Sequence, residues 1–141
     1  MEYKRFDDTV LIRMDRGEEI LLQLERVASA ENIHLAHISA LGAVNDFTVG
    51  VFHTDTKEYH SNHFTGSYEI VSLTGTITTK HGAYYSHLHM SAGDGNGNVV
   101  GGHLNSALVS ATCEMVVTIV DGTVERRFNE DVGLNLFAFA E

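Results

Sequence analysis

The spacing of apolar residues along the chain is helical in one early segment and strand-like after it. The helical segment predicts a helix from about Glu18 to Glu31, with acidic residues in its first turn and Asp15 or Gly17 placed to cap it. Its apolar positions recur every three or four residues, at Ile20, Leu21, Leu24, Val27 and Ala28. One face of this helix is therefore expected to lie on a sheet.

Most of the remaining chain alternates apolar and polar residues, as in strands that bury one face. The predicted strands are Val10 to Met14, Leu35 to Ser39, Val44 to Thr54, Glu58 to Thr65, Tyr68 to Lys80, Ala83 to Ala92, Asn98 to Leu104, Leu108 to Val120, Val124 to Phe128 and Leu134 to Phe139. The pattern predicts a single α+β domain over residues 1–141: a curved, mostly antiparallel sheet or partial barrel with one main helix packed on it.

Three histidines lie on what reads as a β-hairpin. The first strand carries His87-Leu88-His89, a Gly/Asn-rich turn follows, and the second strand carries Gly101-Gly102-His103. Side chains two residues apart on a strand point to the same face, so the first two imidazoles converge. His103 joins them if it pairs opposite His89, whereas a slip of one residue would turn it to the other face. The alternative is three independent surface histidines.

Three convergent neutral imidazoles with one open position describe a catalytic-type zinc site. The expected cofactor is zinc or another divalent transition metal, because imidazole also binds iron, manganese and nickel. The sequence does not distinguish these metals.

Three further residues are candidates for the surroundings of that metal. Glu69 and Glu114 could hydrogen-bond a ligand histidine or act as a general base. The alternative for both is an ion pair with Arg126 or Arg127 across the sheet or between subunits. Tyr85 should share the face of His87, where it could line a pocket, donate to a bound anion or simply pack across the strands.

A second histidine group surrounds a turn at Lys57. His63 could face His53 across that hairpin, with His60 nearby, and a second metal there is an open alternative.

Charge and composition narrow the function. The chain carries 9 Lys and Arg against 19 Asp and Glu, a formal net charge of −10, which argues against nucleic-acid binding by the isolated domain. No apolar run has the length of a membrane span. The single cysteine, Cys113, excludes an internal disulfide and fits a reducing cytoplasm.

The order of several motifs resembles the PPC domain (plants and prokaryotes conserved domain), whose stand-alone prokaryotic members are labelled predicted DNA-binding proteins. The resemblance covers about Arg5 to Phe139. The matching segments are Leu41-Gly42-Ala43-Val44, Gly66-Ser67-Tyr68-Glu69-Ile70-Val71-Ser72-Leu73-Thr74-Gly75-Thr76, His87-Leu88-His89 and Gly101-Gly102-His103-Leu104.

The resemblance implies a curved antiparallel sheet with a packed helix, a homotrimer, and metal binding through the same three histidines. The architecture is also similar to that of acetolactate decarboxylase, a zinc enzyme. Two features depart from the plant members. The chain has no proline and so no Arg-Gly-Arg-Pro arm for the minor groove, and Ser67 stands where they have arginine.

Three functions follow as expectations. The first is a cytoplasmic, trimeric metal-binding protein that also takes a small anionic ligand. The second is a metal-dependent hydrolase or decarboxylase acting on a small molecule. The third is a regulator that contacts DNA through a partner. Whether the protein is an enzyme is left open by the sequence, as is the identity of any substrate.

Overall fold

The computed structural model describes residues 1–139 and confirms the α+β prediction. Eight strands and one helix follow one another along the chain. They are β1 (Glu2–Phe6), β2 (Thr9–Asp15), α1 (Ile20–Ala30), β3 (Ala36–His53), β4 (Glu58–Lys80), β5 (Ala83–Gly93), β6 (Val99–Ile119), β7 (Glu125–Asn129) and β8 (Leu134–Ala138). In the part of the chain that is described, no helix is long and apolar enough to cross a membrane.

The strands form one curved sheet in the order β1-β2-β6-β3-β4-β7-β8, and β5 pairs with both β4 and β6. The strands β3, β4, β5 and β6 therefore close a ring of hydrogen bonds without forming a regular barrel. Every pairing is antiparallel except a single parallel one, between Thr79 of β4 and Glu125 of β7. This one contact brings the β7–β8 hairpin beside β4 and β5.

Three strands are longer than the sequence predicts. The expected breaks near Gly42, Gly66 and Ser106 lie inside β3, β4 and β6, which run on through irregular positions. At Gly42 φ is +150°, and a Cβ there would lie 2.2 Å from the carbonyl oxygen of Thr112. Glycine at this position therefore permits a close approach of β3 to β6, and does not end the strand.

The N-terminal strand β1 is absent from the sequence prediction. All five of its residues are exposed, so it has no buried face and no alternating pattern. It pairs with β2 from Glu2 opposite Arg13 to Phe6 opposite Thr9.

The helix starts two residues later than predicted, and neither Asp15 nor Gly17 caps it. The Glu19 carboxylate accepts hydrogen bonds from the backbone N–H of Leu22 at 2.8 Å and of Ala107 in β6 at 3.0 Å. The same side chain thus caps the helix and joins it to the sheet.

A single apolar core lies between the helix and the sheet. Its largest fully buried side chains include Phe47, Met14, Ile20, Leu24 and Ile38. Leu88 and Met90 of β5 also belong to it. The single cysteine is buried there as well, and burial raises the pKa of the Cys113 thiol to about 12.

Candidate metal centre

The three histidines of the hairpin lie together on the face of the sheet opposite the core. His87 and His89 alternate along β5 with Leu88 and Met90, which are each 2% exposed. His89 lies directly opposite His103 of β6 in the strand register. This is the register on which convergence of the three side chains depends.

The rings are close enough to share one ion. The centroids of His87 and His89 lie 5.1 Å apart, those of His87 and His103 5.1 Å, and those of His89 and His103 5.7 Å. One nitrogen of each ring lies within 4.8 Å of the others. Nitrogens bound to one tetrahedral zinc lie roughly 3.4 Å apart, given Zn–N bonds of about 2.05 Å. Small side-chain rotations therefore bring all three onto a metal.

Glycine lets the backbone under this cluster pack closely. His103 pairs with Gly50 of β3 as well as with His89. A Cβ on the preceding residue, Gly102, would lie 2.5 Å from the carbonyl oxygen of Gly50. Glycine at position 102 is thus required for β6 to lie between β5 and β3 and present His103 to its partners.

The electrostatics of the cluster favour neutral imidazoles. Burial is the largest cause that lowers the pKa of His87, and together with the neighbouring His103, Arg126 and His89, in that order of effect, it brings this pKa to about 4. Burial, and then His89, also lowers the pKa of His103. A metal binds the neutral ring, so both side chains are in their ligand form at neutral pH without a proton having to leave.

Polar and aromatic side chains surround the cluster. On β4, Thr76 lies opposite His87 and Thr74 opposite His89. The ring of Tyr59 approaches His103 with its edge, at a centroid distance of 6.1 Å. A cavity of about 240 Å³ opens beside His89 and is lined by Ser72, Thr74, His89, Met90, Ser91, Gly101 and Gly102. The cluster is therefore open to a small molecule on that side.

The two candidate carboxylates lie away from the three imidazoles. Glu69 sits at the far end of the β4–β5 pairing, opposite Gly93, about 17 Å along the strand from Thr74. Glu114 lies opposite Arg13 of β2, further along β6 than His103. In the chain from residue 1 to 139, neither carboxylate makes the suggested ion pair with Arg126 or Arg127.

Tyr85 does share the face of His87, and its ring packs on a guanidinium. The Arg126 carbon Cζ lies 5.1 Å from the centroid of this ring. Arg126 comes from β7, and its proximity to the histidines was missed by sequence reasoning, which treated it only as an ion-pair partner. No local sequence pattern indicates this proximity, because β7 meets β4 through a single pair of residues that are far apart in the chain.

The second histidine group is not assembled. His53 lies opposite Glu58, His60 opposite Val51, and His63 opposite Thr48. The alternative in which His63 faces His53 is not realised, because the turn between β3 and β4 pairs His53 with Glu58, the first residue of β4. His63 instead contacts Asp46, with Nε2 2.9 Å from Oδ1. Among the described residues, only His87, His89 and His103 form a cluster with metal-ligand geometry.

Comparison with known families places this geometry in context. Residues 1–121 match the Plants and Prokaryotes Conserved (PCC) domain, which is also abbreviated PPC. The chain belongs to this family. The match covers the helix, β1 to β6 and all three histidines of the PCC domain, and ends before β7.

Two solved structures show how closely other proteins follow this PCC fold. A protein of Bacteroides thetaiotaomicron, provisionally described as DNA-binding, is 30% identical with a TM-score of 0.95, over 98% of this chain and 96% of its own. A protein of Archaeoglobus fulgidus described as metal-containing is 35% identical with a TM-score of 0.86, over 98% of this chain and 97% of its own. None of the curated protein sequences matches this PCC protein.

A more distant likeness concerns the fold alone. The α-acetolactate decarboxylase of Bacillus subtilis superposes with a TM-score of 0.59 at 14% identity, over 86% of this chain and 57% of the enzyme. The predicted similarity of architecture is thereby confirmed, and it transfers no chemistry to this PCC domain.

Proposed function

We propose that this PCC protein binds one divalent transition metal, with zinc the first candidate, through His87, His89 and His103. The observation that supports this is the convergence of three ring nitrogens within 4.8 Å of one another on one face of the sheet. Three imidazoles leave at least one coordination position for water or another ligand. The metal-containing relative of A. fulgidus adds support.

The test is metal analysis of protein purified without a histidine tag. We expect close to one metal per chain in the wild type, and none after alanine replaces any of the three ligands. His63→Ala is the matched control, because it removes a histidine that lies outside the cluster and whose Nε2 lies 2.9 Å from Asp46 Oδ1. Wild-type protein that stays metal-free after incubation with zinc, iron, manganese and nickel would refute the proposal.

A metal-dependent enzyme acting on a small molecule is the second candidate function. It is favoured by the open coordination position together with the cavity beside His89. Zinc-loaded protein would then hydrolyse esters or release carbon dioxide from small oxo acids faster than the His87→Ala variant. Equal rates for the two proteins would exclude these activities.

We also propose that the protein assembles as a homotrimer in the cytoplasm. The expectation comes from the family resemblance. It is supported by an open groove of about 640 Å³ on the outer face of the sheet. Exposed Leu11, Leu41 and Val116 line this groove, at 45%, 59% and 40% exposure. Light scattering should give three times the chain mass, and Leu41→Glu should lower it, whereas Leu22→Glu on the exposed side of the helix should not.

DNA binding is a further function to test, because relatives are described as DNA-binding proteins. With a net charge of −10, we propose that the domain has no affinity of its own for duplex DNA at physiological salt. A gel-shift titration at increasing salt tests this. A complex at micromolar protein and about 0.15 M salt would contradict it.

A further inference from the structure

Within residues 1–139, the side chain of Arg126 is buried without a counter-charge. It is 7% exposed and is held by three neutral acceptors. Its Nε donates to Thr78 Oγ1 at 3.0 Å, Nη1 to the Asn135 carbonyl oxygen at 3.1 Å, and Nη2 to Thr76 Oγ1 at 3.3 Å. The Phe137 ring lies 4.4 Å from Cζ and the Tyr85 ring 5.1 Å.

No carboxylate of residues 1–139 forms an ion pair with this guanidinium. The preceding Glu125 is occupied elsewhere, because its oxygens accept from Thr79 Oγ1 and from the backbone N–H of His81 and Gly82. A buried charge is costly unless it is paired, and arginine does not deprotonate in proteins. Two of the five guanidinium N–H groups also remain without an acceptor in the described chain.

The guanidinium is close to the proposed metal. Thr76, which accepts from Nη2, lies directly opposite His87, a relation that puts the two Cβ atoms about 5 Å apart. Tyr85 precedes His87 by two residues on the same face.

This proximity creates a charge problem once a metal binds. Three neutral imidazoles leave the full charge of a divalent ion, and the guanidinium adds another positive charge within one side chain's length. Like charges at such separation repel unless an anion lies between them. Residues 1–139 place no carboxylate of their own there, and the carboxylate of a bound ligand would supply the compensating charge.

Asn135 lies beside the same guanidinium and also has an unsatisfied polar group. Its Oδ1 is buried and has no hydrogen-bond partner among residues 1–139, while its Nδ2 donates to the Tyr85 hydroxyl at 3.5 Å. If the amide is turned by 180°, Oδ1 accepts from Tyr85 and Nδ2 is left without a partner. In both orientations one polar atom beside the guanidinium lacks a partner, which is typical of a site that holds a further polar group.

We propose that Arg126 binds the carboxylate of a small organic acid that reaches the metal held by His87, His89 and His103. This inference rests on the proposed metal site and names the ligand class that the site takes. The two free N–H groups suit a planar carboxylate lying between the rings of Tyr85 and Phe137. A single guanidinium in a chain of net charge −10 is poorly suited to a phosphate, which carries more charge. Arg126 also lies outside residues 1–121, so the family match does not imply this role.

The experiment measures propionate binding to zinc-loaded protein by calorimetry, with metal content determined on the same samples. Propionamide is the neutral isosteric probe. Nitrogen-15 arginine spectra follow the Nε–H signal of Arg126, which is assigned from Arg126→Lys. We expect propionate to bind, propionamide not to bind, and the Arg126 signal to shift. Arg126→Gln should weaken propionate at least tenfold and leave the zinc content unchanged.

The matched control is Arg127→Gln, which removes the same charge from an exposed position on the same strand. It should change propionate affinity less than twofold. Arg126→Lys keeps the charge but loses the planar fork, so it tests the idea if Arg126→Gln does not fold.

Absence of zinc would refute the metal proposal itself. Two results would overturn only the present inference: zinc-loaded wild type does not bind propionate, or the Arg126→Gln variant binds propionate as tightly as the wild type. Binding of inorganic phosphate in place of propionate would overturn the assigned ligand class.

Discussion

Replacing Gly102 by alanine should damage both the fold and the metal centre. The added Cβ would lie 2.5 Å from the carbonyl oxygen of Gly50 and 3.1 Å from its nitrogen. Carbon and oxygen atoms in ordinary contact are more than 3 Å apart, so β6 and β3 must separate locally by roughly 1 Å. The obstructing atoms belong to the backbone, and no side-chain rotation relieves the overlap.

The expected loss is about 1–3 kcal/mol in the free energy of unfolding of the metal-free protein. For a chain of this size, that loss lowers the melting temperature by roughly 3–10 °C. His103 follows directly after Gly102 and pairs with Gly50, so it moves with the displaced strand. We therefore also expect zinc to bind about tenfold more weakly. This is the low end of the loss in metal affinity found when the residues that orient a metal ligand are disturbed.

Denaturant unfolding and a zinc competition titration measure these two effects. Gly95→Ala is the matched control, since nothing lies within 4 Å of its added Cβ and its φ is not positive. The reasoning fails if Gly102→Ala unfolds within about 0.5 kcal/mol of Gly95→Ala and binds zinc equally well, because the close contact would then have no energetic weight.

Three further changes test other parts of the structure. Acidification from pH 6.5 to 4 should destabilise the metal-free protein. The pKa of His87 is about 4 in the folded state and returns to its ordinary value in the unfolded state. Between these values the unfolded state binds one more proton than the folded state, so a fall in pH favours unfolding. For this half-buried side chain we expect roughly 1–2 kcal/mol after allowing for solvent screening, absent in His87→Gln, as measured by denaturant unfolding at both pH values. Glu19→Ala removes the acceptor for the N–H groups of Leu22 and Ala107 and should cost about 1–2 kcal/mol by the same assay, and a smaller loss in Glu19→Gln would support the capping role. Cys113, with its pKa raised to about 12, should react with iodoacetamide at pH 8 at least a hundredfold more slowly in the native protein than in guanidinium, and equal rates would contradict its burial.

The histidine cluster could be predicted because its determinants are local. A spacing of two residues fixes the common face of His87 and His89. The turn after β5 is built by short-range contacts, with Asp94 Oδ1 accepting from the N–H of Asn96 at 2.8 Å and of Asn98 at 2.9 Å. A tight turn of this kind sets the register of the two strands it joins, and so brings His103 opposite His89.

The extent of the strands and the setting of Arg126 could not be predicted. Glycines such as Gly42 read as breaks, although in the fold they let one long strand approach another. Arg126 reaches Thr78, which is 48 positions earlier in the chain, through a hairpin with a single bridge to β4. No periodicity encodes such a contact, because its partners are neutral hydroxyls and a carbonyl. Sequence patterns therefore indicated the three clustered histidines but not the positive charge beside them.

If the proposed metal and carboxylate both bind, the charge of Arg126 makes the affinity for each depend on the other. Arg126 disfavours a divalent ion nearby, and a carboxylate bound to Arg126 removes that penalty. By thermodynamic linkage, propionate must then raise zinc affinity by the same factor by which zinc raises propionate affinity. Arg126→Gln should remove the coupling and by itself strengthen zinc binding in the absence of propionate, because the repulsion is gone. Weaker zinc binding in that variant would instead mean that Arg126 mainly positions the histidines through Thr76 and Tyr85.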